Sequence, residues 1–187
     1  MEKSITYFET PGKTNTNELI SLVKNRLKES NIKYVAIASA SGESALKLAD
    51  ELKDITIINV THYNGFKEPN VLDISNEMRK KLENKGIITY VGSHALSGAG
   101  RGISNKFGGI TPVEIVAATL RMLSQGIKVC VEISLMLSDA GIIPVNEEIL
   151  AIGGTGKGVD TGIILSSANS ANIFDLKIHE IIAMPRP

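Results

Sequence analysis

Apolar and polar positions alternate between two periods along the chain. Leu19, Ile20, Val23 and Leu27 recur at helical spacing behind Asn15, which with Glu18 predicts a capped helix start. Tyr34 to Ala38 is a short apolar run that reads as a buried strand. A helix follows from Glu43, with Ala45, Leu48, Ala49 and Leu52 inward. The alternation then repeats, with a strand over 55–60, a helix from Ser75 to Gly86 and a strand over 87–91. Thr111-Pro112-Val113-Glu114 carries a cap, a first-position proline and a third-position glutamate, and so opens a helix that runs to Gly126. Lys128 to Ser134 reads as a fourth strand. Residues 148–153, 162–166 and 177–183 read as three more, with no clear helices between them.

Strands and helices in this order predict a three-layer α/β/α fold on a mostly parallel sheet, finishing in partly antiparallel strands. No internal repeat or linker appears, so residues 1–187 read as a single domain.

Composition narrows the function classes. Lys plus Arg and Asp plus Glu stand at 20 each, so no basic surplus points to nucleic acid or an anionic membrane. Cys130 has no second cysteine to pair with, and its apolar setting suggests a buried, inert thiol. No stretch approaches a membrane span, and the first residues lack the apolar core of a signal peptide. The expectation is a cytoplasmic protein.

In an open parallel sheet, ligands bind beyond the carboxyl ends of the strands, so the segments after each strand are the candidates. Ser39-Ala40-Ser41-Gly42-Glu43-Ser44 joins a strand to a helix N-terminus. Free N–H groups, the helix dipole and the hydroxyls of Ser39, Ser41 and Ser44 suit a phosphate; the alternative is a helix cap with spare serines. Thr61-His62 and Ser93-His94 each place a hydroxyl and a histidine just past a strand. The two histidines could bind a ligand or move a proton, or could make only local hydrogen bonds. No further ligands with recognisable spacing accompany them, so a metal site is not expected. The stretch from Gly92 to Gly109, holding Arg101, reads as a binding loop or lid. Glu132, read in a strand, would share a face with Cys130 and Ser134 and would need a partner if buried. Asp139 reads as a turn former.

Gly153-Gly154-Thr155-Gly156-Lys157-Gly158-Val159-Asp160-Thr161 is similar to a Walker loop in its glycines, but Lys157 is followed by Gly158 where Ser or Thr is required. It could still wrap an anion with its backbone N–H groups, or be a hairpin loop.

These residues together resemble a known family. Ser39 to Ser44 resembles the phosphate-gripping effector loop of the pyruvate kinase C-terminal domain, and Gly156 to Thr161 resembles its later Gly-rich effector loop. The chain is similar over nearly its full length to stand-alone pyruvate kinase α/β-domain proteins of archaea and bacteria. Thr16, Thr61-His62, His94 to Gly98 (with Ser97), Asp139-Ala140-Gly141 and Gly153-Gly154-Thr155-Gly156 carry that likeness, and Ser93 stands where Thr is expected. The resemblance implies a bound flavin mononucleotide (FMN). Ser39, Ser41, Gly42, Glu43 and Ser44 would surround its phosphate. Thr61, His62, His94 and the Gly153 to Asp160 loop would line the rest of the cleft. It implies no pyruvate kinase activity, because a catalytic barrel alone takes ~250 residues. The alternatives are a regulatory effector-binding module, compatible with a homo-oligomer, and an enzyme acting on a small phosphorylated metabolite.

Overall fold

A computed structural model describes residues 2–186. The apolar runs form seven strands: β1 (Thr6–Phe8), β2 (Tyr34–Ala38), β3 (Thr56–Thr61), β4 (Ile88–Val91), β5 (Glu148–Gly153), β6 (Thr161–Ser166) and β7 (Lys177–Pro185). All lie in one sheet in the order β1-β7-β6-β5-β2-β3-β4. β6 runs antiparallel to both of its neighbours, β5 and β7. Every other pair is parallel. The antiparallel finish expected from the sequence is therefore present, and the Gly-rich loop is the turn of the β5–β6 hairpin.

Side chains alternate through the sheet with period 2, so each face carries its own core. Val35, Ile37, Ile57, Leu150 and Ile152 meet α1 (Thr16–Leu27), α2 (Glu43–Glu51) and α3 (Asn76–Asn84) on one face. Ala36, Ile58, Val60, Ile149 and Ala151 meet Ile127, Cys130, Ile133 and Leu137 of α6 (Gln125–Asp139) on the other. Outside α6 lies α5 (Pro112–Arg121), whose Ala117 packs with Leu96, Val131 and Leu135. The fold is thus the three-layer α/β/α arrangement.

The segment 128–134 departs from its sequence reading, being the middle of helix α6 rather than a strand. Of the fifteen residues of α6, twelve are buried, so the helix has no polar face. With apolar residues all round, the helical period is lost and Val129, Val131 and Ile133 mimic strand alternation. Glu132 consequently shares a face with Lys128, one turn away, and not with Cys130 and Ser134.

Four smaller departures accompany this one. Helix α5 ends at Arg121, and Gly126 lies inside α6, which starts where the Ser124 hydroxyl accepts the Ile127 N–H at 3.0 Å. A Cβ on Gly126 would stand 2.0 Å from Thr161 Oγ1, so this glycine serves helix-to-sheet contact and not termination. The Gly92 to Gly109 stretch is not an open loop: it contains α4 (Gly98–Phe107). Its poor helix propensity is overridden by packing, since Gly100 abuts Thr111 and Val113, and Ser104 bonds the Glu114 carboxylate. Asn15 makes no capping bond to α1; its side-chain amide donates to the Thr10 carbonyl at 2.6 Å. The edge strand β1, with only Phe8 buried, has too short a pattern to be read from sequence.

Candidate functional site

The parallel strands β2, β3, β4 and β5 end on the same side of the sheet, and the segments beyond them enclose a cleft of about 790 Å³. Residues at the beginnings of four helices line it: Lys13 and Thr16 at α1, Ser41 and Ser44 at α2, Ser97 at α4, and Gln125 and Lys128 at α6. Each helix start adds unpaired N–H groups and the positive end of its dipole. The side chains add more of the same sign. Lys13, Lys47, Lys67, Arg101, Arg121, Lys128 and Lys157 line the cleft against Glu43, Asp73 and Glu132. A chain of zero net charge thus concentrates its positive charge at one place.

The Ser39 to Ser44 turn divides its hydroxyls between structure and cleft. Ser39 is buried and its Oγ accepts the Ser44 N–H at 3.2 Å, so it performs the capping role. Thr61 donates to the Ala40 carbonyl at 2.7 Å and fixes the turn to the end of β3. Gly42 adopts φ +84°, and a Cβ there would stand 2.7 Å from Met78, so it allows the turn to lie against α3. Among the described residues, the Ser44 hydroxyl and the N–H groups of Ala40 and Ser41 have no hydrogen-bond partner and are free for a ligand.

The Gly-rich turn is held from behind. Thr16 Oγ1 accepts the Val159 N–H at 3.1 Å and donates to its carbonyl at 3.3 Å. Gly158 lies so close to α1 that a Cβ would stand 2.6 Å from both the Lys13 Cα and Thr16 Oγ1. Gly154, Gly156, Lys157 and Gly158 face the cleft.

At the opposite wall, His62 Nδ1 donates to Asp73 Oδ2 at 2.5 Å, and Lys67 Nζ lies 3.1 Å from Asp73 Oδ1. Burial pulls the Asp73 carboxyl upward, but these hydrogen bonds outweigh it and hold its pKa below the usual carboxylate range. Phe66 stacks on His62 with centroids 3.9 Å apart, and His94 meets the rings of His62, Tyr63 and Phe66 at 5.4, 5.6 and 5.2 Å. Burial holds the His94 pKa below its ordinary value against the opposing pull of Glu132. Glu132 is itself 4% exposed; it accepts the Leu96 N–H at 2.9 Å and the Lys128 ammonium at 2.5 Å. Burial lowers the Lys128 pKa, and the Glu132 carboxylate opposes that.

Of the residues expected from sequence, Thr16, Ser39, Ser41, Glu43, Ser44, Thr61, His62, His94, Ser97, Gly154 and Gly156 line the cleft. Gly42, Gly98, Gly153 and Thr155 do not. Asp160 is a correction: it is 0% exposed, and its carboxylate is consumed by Gly12, Thr155 and Thr161. Gly153 packs against α6, where a Cβ would stand 2.6 Å from the Gly126 carbonyl. Sequence reasoning missed Lys13, Lys47, Phe66, Asp73, Arg121 and Lys128. Of these only Lys128 had a readable signal, its i, i+4 spacing to Glu132 inside an apolar run.

Among the described residues no group of three or more His, Cys, Asp or Glu gathers to hold a metal ion, and no helix is long and apolar enough to cross a membrane. A family model described as pyruvate kinase, alpha/beta domain, matches residues 17–165, which run from α1 to β6 and include both the Ser39 and the Gly-rich turns.

Proposed function

This chain belongs to the pyruvate kinase α/β-domain family, and we propose that its cleft binds a phosphorylated small molecule, FMN being the leading candidate. The observation that carries this reading is the meeting of four helix beginnings and seven basic side chains in one cleft of a chain with no net charge. Such a site attracts a dianionic phosphate by charge and by N–H donors together. The free donors of Ala40, Ser41 and Ser44 form the natural phosphate position.

A planar ring would complete the fit. The chain has four Phe, four Tyr and no Trp, yet two of these aromatics and two of its three histidines gather at one wall. His62, Phe66 and His94 open into the cleft and offer faces and edges to a heteroaromatic system. The residues present therefore fit FMN: Ser41 and Ser44 would hold the phosphate, and the His62–Phe66–His94 group would hold the isoalloxazine. Bound flavin supplies hydride and one-electron chemistry.

The test is the visible absorption spectrum of the purified protein, with identification of whatever denaturation releases. Flavin bands near stoichiometric occupancy, or uptake of added FMN that is lost with Ser41 and Ser44 replaced by alanine, support the reading. A colourless protein that takes up no FMN removes the flavin. Phosphate esters are then compared by thermal stabilisation, and failure of all of them removes the phosphate site as well.

A further inference from the structure

His62 and Asp73 form a hydrogen-bonded pair whose outer nitrogen is unused. A carboxylate accepts, so the 2.5 Å contact to Asp73 Oδ2 favours, in the neutral ring, the tautomer with its proton on Nδ1 and its lone pair on Nε2. Asp73 is fixed in turn by Lys67 on its other oxygen. The Asp73 side chain is 10% exposed and that of His62 is 28% exposed, so the carboxylate is sheltered while the imidazole reaches the cleft. Among the described residues no protein group bonds Nε2. Two cations, Arg101 and the buried Lys128, line the same cleft, and a second imidazole, His94, lies beside His62 with ring centroids 5.4 Å apart.

We propose that this pair is a proton-transfer centre: His62 is the base, Asp73 is its positioning residue, and the substrate class is a small phosphorylated carbonyl compound. The proposal rests on the phosphate-ester reading of the cleft, though not on the ligand being a flavin. The C–H bond beside the carbonyl breaks, and its proton goes to His62 Nε2. Its electron pair forms a carbon–carbon double bond, and the carbonyl oxygen takes up negative charge facing Lys128 and Arg101. The proton returns to carbon as the carbonyl re-forms, so nothing is oxidised or reduced. Where the carbon that loses its proton bears a hydroxyl, transfer of that hydroxyl proton to the first oxygen, with the proton on His62 delivered instead to the former carbonyl carbon, completes an isomerisation. Asp73 keeps the imidazole in the tautomer that exposes Nε2 and stabilises the imidazolium that forms, the division of labour expected of a carboxylate–histidine pair.

The experiment uses dihydroxyacetone phosphate in D2O with the full chain freed of co-purified ligand. Proton NMR reads deuterium uptake at its carbon-bound positions, and thermal stabilisation reads its binding. Wild-type protein is expected to bind the probe and raise exchange above buffer. His62→Gln should lose about 100-fold or more of that exchange, and Asp73→Asn about tenfold or more, each with probe binding retained. Asp73→Asn should also remove the downfield signal of the bonded Nδ1 proton and move the pH profile, which a merely structural carboxylate would not do. Lys67, His94, Glu132 and Lys128 are the other titrating groups about this pair. His179→Gln, altering the histidine that bonds Ser166 away from the cleft, should leave exchange unchanged. Binding without exchange, or exchange that survives His62→Gln, overturns the proton-transfer proposal alone. Failure of the probe to bind overturns this proposal, whose substrate class it represents, whereas the phosphate-ester reading falls only if FMN and the other phosphate esters also fail to stabilise the protein.

Discussion

The Asp160 carboxylate receives the Gly12 N–H at 2.8 Å across 148 positions of sequence. The same oxygen accepts Thr155 N–H at 3.1 Å, and the other accepts the Thr161 hydroxyl at 2.8 Å. One buried charge thereby ties the segment entering α1 to the turn leaving β5, and so sets the relative position of Lys13 and Lys157, which face the cleft from these two elements. Thr16 repeats the tie one step further along, through its two bonds to Val159.

Replacing Asp160 by alanine leaves three donors without their acceptor at a site closed to solvent. The expected loss is about 3 kcal/mol or more, read as a lower urea midpoint with an unchanged slope. Asp160→Asn keeps one acceptor oxygen and should lose less. Equal stability of Asp160→Ala and wild type would mean that water or a local shift replaces all three bonds.

The layering and the mostly parallel sheet with its antiparallel finish were largely legible, because strands buried on both faces are short apolar runs bounded by Gly and polar turns, and residues 34–38 and 148–153 are clear cases. Helix α6 was not, since burial on every side erased the period that marks a helix. The cleft was legible at the Ser39 turn and at the two post-strand histidines, where sequence position alone fixes location beyond a strand. Phe66 and Asp73 were not, because the 62–73 loop brings them back to His62 by a path that no periodicity records. Asp160 was placed in the site by its loop, whereas its acceptor capacity is spent inward.

Ser39 and Ser44 should separate cleanly on substitution, although both belong to one turn. The Ser39 hydroxyl caps α2 through Ser44 N–H, so Ser39→Ala is expected to cost about 1 kcal/mol of stability. The Ser44 hydroxyl bonds nothing in the protein among the described residues, so Ser44→Ala should change stability by less than ~0.5 kcal/mol. If it holds the phosphate, its loss should weaken FMN binding about tenfold, or ~1.4 kcal/mol, by fluorescence titration. Unchanged affinity in Ser44→Ala would move the phosphate away from this turn.

Lys128 and Glu132 test the cost of a buried ion pair beside a binding site. Each is 4% exposed. Lys128→Met leaves the Glu132 charge without its cation and is expected to destabilise by about 3 kcal/mol or more, whereas the double variant Lys128→Met/Glu132→Leu should recover much of that loss. The recovery will be incomplete because the Leu96 N–H then lacks its acceptor. A double-mutant cycle by urea unfolding measures the coupling; a coupling near zero would show that the pair is not held together in solution.

His94 should make stability fall as the medium turns acidic. Burial is the largest influence on it and lowers its pKa, Glu132 pulls the other way, and His62, Lys128 and Arg101 add to the lowering. Its folded value therefore lies below the unfolded value of about 6.5. Between those two values the unfolded chain binds more protons than the folded one, so stability rises with pH and is lost as pH falls below about 6.5. Asp73 is also depressed, but its stability is lost only in the more acidic window below the unfolded carboxylate value of about 3.9. The two contributions are thus separable. Urea midpoints at pH 7.5 and pH 5.0 should show a larger acid loss for wild type than for His94→Gln, which has no proton to gain. An equal loss in the two proteins would mean that His94 titrates alike in both states and that the wall it forms with Phe66 is open to water.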